Sequence, residues 1–105
     1  VAVLPSLALA SLDDIRREID AIDRDIVALV ARRNERVLRL LEHKRTPDAI
    51  RVPAREEEVV ANVRRMATEN GADPDVVERV YRAMIAAFVE YELRELQTAA
   101  EREAS

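Results

Sequence analysis

Residues 11–45 read SLDDIRREIDAIDRDIVALVARRNERVLRLLEHKR, and the fold turns on this stretch. Ser11 can cap a helix with its hydroxyl. Asp13 and Asp14 stand in the first turn, where unsatisfied backbone N–H groups attract negative charge. Neither Gly nor Pro interrupts the chain from here to Pro47. Leu12, Ile15, Ile19, Ile22, Ile26 and Leu29 recur at alternating steps of three and four, the spacing of one helical face. Val37, Leu40 and Leu41 carry the stripe onward. One helix is expected from residue 11 to about residue 45.

Such a helix is about 50 Å long at 1.5 Å per residue. A compact domain of this size has a radius of gyration of about 13 Å, so the helix must overhang its own domain. The overhang would leave Ile and Leu in water along nearly its whole length. A second copy of the chain solves this economically, and an intertwined homodimer with the two long helices packed together is expected.

Outward from the first helix, Thr46-Pro47 stops it and residues Arg45 to Pro53 read as a loop. A second helix is expected from about Ala54 to Asn70, burying Val59, Val60, Val63, Met66 and Ala67. Asn70-Gly71 is a strong stop, because Gly supplies the left-handed conformation that follows a last turn. Asp73-Pro74 starts a third helix running to about Arg102, with Val77, Val80, Tyr81, Met84, Ile85, Phe88 and Leu96 as its stripe. The expected fold class is all-α, with three helices per chain in a dimeric bundle. Residues 11–105 form the domain and residues 1–10 an N-terminal extension.

Composition agrees. The chain has 105 residues, 49% hydrophobic and 36% charged, with one Gly, no Cys and 3% aromatics. One Gly and four Pro cannot punctuate the many short strands of a sandwich or barrel. Without Cys there is no disulfide scaffold, no thiol nucleophile and no Cys-based zinc site. His43 is the single imidazole, so a catalytic triad or multi-His metal site has little to work with. No metal and no cofactor are expected. His43 reads as a favourable charge near a helix C-terminus, Tyr81 and Tyr91 as packing, and Met66 and Met84 as gap fillers. The net charge of −4, with no basic block, gives no footprint for nucleic acid or an anionic membrane. The apolar run Val1 to Ala10 lacks a preceding basic residue and is broken by Pro5, so it reads as an extension rather than a secretion signal. No run approaches the roughly 18 apolar residues of a membrane span. Absence of Cys fits a cytoplasmic location.

A few charges fall on inward faces. Arg33 lies four after Leu29 and four before Val37, and Lys44 four after Leu40. Glu92 lies four after Phe88 and four before Leu96. Glu56 precedes Val60 by four, and Arg16 borders the first stripe. Any one of them reads as a snorkelling or paired side chain. Together they point further, since burying an unpaired charge costs several kcal/mol. Along a helix Arg33 and Lys44 would stand roughly 16 Å apart, within reach of one small anion by their long side chains. Arg16 lies roughly 25 Å from Arg33 and must come from the second chain. A shared pocket of Arg33, Lys44, Arg55, Glu56 and Glu92 with Arg16 across the dimer suits a small dicarboxylate, because guanidinium grips carboxylate in a bidentate fork. With no nucleophile or imidazole nearby, the pocket can bind, or it can catalyse by restraint and electrostatic stabilisation.

At these residues the sequence resembles the all-helical chorismate mutase family, which includes isochorismate-pyruvate lyases on the same scaffold. The likeness covers about Leu12 to Gln97. Ile15-Arg16-Arg17-Glu18-Ile19-Asp20-Ala21-Ile22-Asp23 resembles the family's opening motif, and Ala31-Arg32-Arg33 its second arginine motif. Lys44 falls at the family's lysine, and Arg55-Glu56 resembles the pair opening the second helix. The resemblance implies a Claisen rearrangement of chorismate to prephenate in aromatic amino acid biosynthesis, the shikimate pathway, without covalent catalysis or cofactor. It also implies roles. Arg33 and the second chain's Arg16 clamp the two carboxylates, and Lys44 donates to the ether oxygen and a carboxylate. Glu56 accepts from the ring hydroxyl, with Arg55 positioning it. A larger synthase is a candidate partner.

The sequence departs from the family pattern at three places. Glu92 stands where Gln is frequent, and a carboxyl group donates to the ether oxygen only while protonated. Activity resting on that proton falls as pH rises, and Glu92→Gln levels the profile. Val52 replaces a polar residue in a loop one residue short, and Phe88 replaces a small hydroxyl residue. Both changes lie at the ring-hydroxyl end and bear on the choice of substrate. The alternatives are isochorismate-pyruvate lyase or amino-deoxychorismate mutase on the same fold, and a non-catalytic helical dimerisation module. The last predicts that Arg33→Ala changes only stability.

Overall fold

The computed structural model describes residues 11–105, so the expected extension at residues 1–10 lies outside the described residues. Among the described residues there are three long helices, α1 (Leu12–Leu41), α3 (Pro53–Glu69) and α4 (Pro74–Ala104), with the single turn α2 (Pro47–Ile50) between the first two. None of them is long and apolar enough to cross a membrane. The chain divides into two compact units, the first ending at Glu35 and the second running Arg36–Ser105, so α1 begins in one and ends in the other.

In the first unit, α1 starts with a reciprocal cap. The Ser11 hydroxyl accepts from the Asp14 amide at 3.0 Å, and the Asp14 carboxylate accepts from the Ser11 amide at 3.4 Å. Asp14 also receives Arg17 at 2.7 Å. The apolar stripe from Leu12 to Leu29 is 44% to 62% exposed at Leu12, Ile15, Ile19, Ile22, Ile26 and Leu29. The helix pattern is thus present without burial of its apolar face.

In the second unit, α1 ends at Leu41, short of the expected residue 45. The amides of Glu42, His43 and Lys44 bond to the carbonyls three residues back (3.3, 2.9 and 3.2 Å), so the last turn tightens and lifts Lys44 off the helix. The three-turn spacing argued for Arg33 and Lys44 therefore does not apply. The expected loop also contains helix. The Thr46 hydroxyl caps Ala49 at 3.3 Å, Pro47 takes the first helical position, and α2 buries Ile50. Thr-Pro is a start signal as well as a stop.

Helix α3 packs along α4, and α2 also touches α4. The turn between α3 and α4 follows from Gly71 at φ +75, the one positive φ among the described residues. The Gly71 amide bonds to the Thr68 carbonyl at 3.2 Å and the Ala72 amide to the Ala67 carbonyl at 2.8 Å, a Schellman turn. Asp73 then caps α4 through the amides of Asp75 and Val76. Among the described residues, Val37, Ile50, Val60, Val63 and Ala67 are the buried apolar ones. Val59 is half-buried and Met66 exposed, so the expected face of α3 is only partly covered. Along α4 the expected stripe is half-buried, except at exposed Val80.

Candidate functional site

The second unit has one buried charged residue among those described, Glu92, at 6% exposure. It sits on α4 with Phe88 and Leu96 one turn to either side, where a carboxylate without a counter-charge would cost several kcal/mol. Lys44 supplies the counter-charge. Its ammonium donates to Glu92 Oε2 at 3.4 Å from the tight turn after α1, with about a quarter of the lysine side chain in solvent. Two residues 48 apart in sequence thus meet as a cation with an open side and a carboxylate with none.

A second charged group joins the start of α3 to α4. Arg82 NH1 donates to Glu56 Oε1 at 3.2 Å and to Glu57 Oε1 at 3.0 Å, while NH2 donates to Glu57 Oε2 at 3.2 Å. Its Nε donates to Glu78 Oε2 at 2.8 Å. The other Glu78 oxygen accepts from Arg64 on α3 at 2.8 Å, and Arg64 also reaches Asp75 at 2.9 Å. The bond from Arg82 holds the carboxyls of Glu57 and Glu78 below their ordinary value. In return, bonds from Glu57 and then Glu78 raise the Arg82 guanidinium, and the bond to Asp75 raises Arg64.

The remaining expected residues stand as follows. Glu56 is part of this network. Arg55, its neighbour, pairs with Glu58 one turn on and is largely exposed, so the side chain on Glu56 is Arg82 and not Arg55. Val52 precedes α3 and is 44% exposed. Its carbonyl accepts from the amides of Arg55 and Glu56 at 3.0 and 3.2 Å. Phe88 is half-buried on α4. In the first unit, Arg33 is half-buried on α1, and Arg16 is exposed, 3.9 Å from Asp13. The structure thus brings Lys44 to Glu92, and gives Glu56 a partner from α4.

Arg82, Glu78 and Arg64 were missed by sequence reasoning. Glu78 and Arg82 are an i, i+4 pair, which reads as an ordinary solvated helix pair. That Arg82 also reaches α3 depends on how two helices pack, and no local spacing reports it. Among the described residues no group of three or more His, Cys, Asp or Glu side chains could hold a metal ion.

The chemistry on offer is non-covalent: an ammonium beside a buried carboxyl group, and a carboxylate fixed at a helix start. Comparison with known proteins matches the sequence to a family. The chorismate mutase type II model covers residues 15–93. The isochorismate pyruvate lyase of Pseudomonas aeruginosa is 34% identical over 83 residues, which span 79% of this chain and 82% of that protein. No solved structure matches significantly. With a family model spanning both charged groups and most of the chain, this protein belongs to the chorismate mutase type II family.

Proposed function

We propose that the chain is a chorismate mutase, an isomerase that converts chorismate to prephenate in a site shared by two copies of the chain. The observation that carries the reading is the Lys44–Glu92 pair, 3.4 Å apart with Glu92 buried. A charge-assisted bond normally closes to about 2.7–2.9 Å. The longer separation leaves the ammonium able to turn toward an incoming anion while Glu92 stays in place. The rearrangement breaks the ether C–O bond and forms a C–C bond within one molecule, with negative charge gathering on the ether oxygen. Lys44 is a donor suited to that oxygen. Glu92, as its counter-ion, holds that ammonium in position. Glu56 accepts from the ring hydroxyl at the α3 start. Arg33 and the second copy's Arg16 hold the two carboxylates, which keeps the enolpyruvyl arm folded over the ring. Restraint of this kind can supply a large part of a unimolecular barrier reduction.

The homodimer is part of the proposal. Its support is the apolar stripe of α1, half or more exposed over most of its length between Leu12 and Leu29, which a second α1 would cover.

The likeness to isochorismate pyruvate lyase favours a second reading. There the same ether bond breaks, but a ring hydrogen moves to the enolpyruvyl methylene and pyruvate leaves. Both reactions need the same folded arm and the same stabilised oxygen. Val52 and Phe88 bear on which ring is seated. The deciding experiment offers chorismate, isochorismate and the amino analogue and identifies products. Prephenate from chorismate supports the mutase. Pyruvate release from isochorismate, with chorismate inert, replaces it by the lyase.

A further inference from the structure

We infer that Arg82 is a positioning residue: its guanidinium holds the Glu56 carboxylate against α4 and so presets the acceptor for the substrate's ring hydroxyl. The inference rests on the role proposed for Glu56 and adds a residue to it.

The geometry carries it. Glu56 lies in the first turn of α3, with its side chain 38% exposed, and among the described residues its carboxylate is engaged through Oε1 alone, by Arg82 NH1 at 3.2 Å. Arg55, the nearer arginine in sequence, is drawn away to Glu58. Arg82 is itself held on two sides. Nε is fixed one turn back on its own helix by Glu78 at 2.8 Å, and NH1 and NH2 grip both oxygens of Glu57. Glu78 is pinned in turn by Arg64 from α3. A planar guanidinium fixed by three hydrogen bonds to two other carboxylates has little freedom to swing, and its fourth bond restrains the Glu56 carboxylate. A lysine has three donors on one nitrogen and cannot make these four bonds, which leave from three nitrogens of a planar fork. Glu56 Oε2 is left to accept from the ligand, with the ordering cost already met in the folded protein.

A hydroxyl contact made alike in the bound substrate and the transition state affects KM and leaves kcat nearly unchanged. Arg82→Met, assayed on whichever of chorismate and isochorismate the wild type converts, is therefore expected to raise KM roughly tenfold with kcat within about twofold, the loss of about one hydrogen bond to a charged group. Arg82→Lys, which keeps the charge without the fork, is expected to show part of the same rise, and it carries the test if the Met variant fails to fold by circular dichroism. In a Glu56→Gln background the Arg82 substitutions are expected to add little to KM. An unchanged KM in a folded Arg82 variant, a fall in kcat alone, or full additivity with Glu56→Gln overturns the positioning role and leaves the proposed activity standing. A wild type that converts neither substrate overturns both.

Discussion

Lys44 and Glu92 show how much a single pair decides. Glu92 stands among apolar neighbours on α4, so its position in a helical stripe was legible: a charge between Phe88 and Leu96. Which cation answers it was not, because Lys44 comes from a turn that α1 has already left. Removing one partner of a buried pair leaves the other uncompensated. Lys44→Met is expected to cost about 2–3 kcal/mol in urea unfolding, less than a fully buried pair because water reaches the lysine. Adding Glu92→Gln should return most of that stability. Turnover should fall on the order of 100-fold or more in both variants if the Lys44 ammonium is the charge that steadies the ether oxygen, since neither variant restores that ammonium. A double variant that regained activity with stability would reduce Lys44 to a structural counter-ion.

The helices themselves follow from short-range chemistry, and their ends test it. Asn70-Gly71 reads as a stop, and the structure places Gly71 at φ +75 with nothing within 4 Å of an added Cβ. Gly71→Ala therefore meets no neighbour, and its cost is the backbone penalty alone, about 1 kcal/mol in chemical denaturation. A much larger loss would mean that the turn is packed as well as bent. At the α3–α4 junction, Glu57 and Glu78 are held below the ordinary carboxyl value near 4.5 by Arg82. A depressed folded-state value contributes stability at pH above the unfolded value and loses it as pH falls through the folded one. Thermal melts of wild type and Arg82→Met should therefore differ at neutral pH and converge as pH is taken below about 4.5. Where the sequence misread an element, it read one signal for another. Thr46-Pro47, read as the stop of α1, opens α2 instead, because α1 tightens and ends at Leu41 before its periodicity runs out.

At the scale of the whole molecule, the apolar stripe of α1 from Leu12 to Leu29 stands exposed among the described residues and is a demand they leave unmet. Ile19→Lys with Ile26→Lys should turn a dimer by light scattering into a monomer, with turnover lost, if a second α1 covers that face. The proposed shared site makes a sharper demand. Arg16→Ala and Lys44→Met chains, each inactive alone, should regain activity when mixed and refolded together, because one site of the mixed dimer would hold both native residues. No regain would place Arg16 outside the site. The sequence by itself determined the helical class, the main breaks at Pro47 and Gly71, the apolar stripes and the family motifs, because capping, periodicity and spacing are local and are written in consecutive residues. Only the tertiary structure decided that Lys44 answers Glu92 and that Arg82 rather than Arg55 holds Glu56, because partners 48 and 26 positions apart are chosen by how α3, α4 and the turn after α1 pack, and no periodicity encodes that choice.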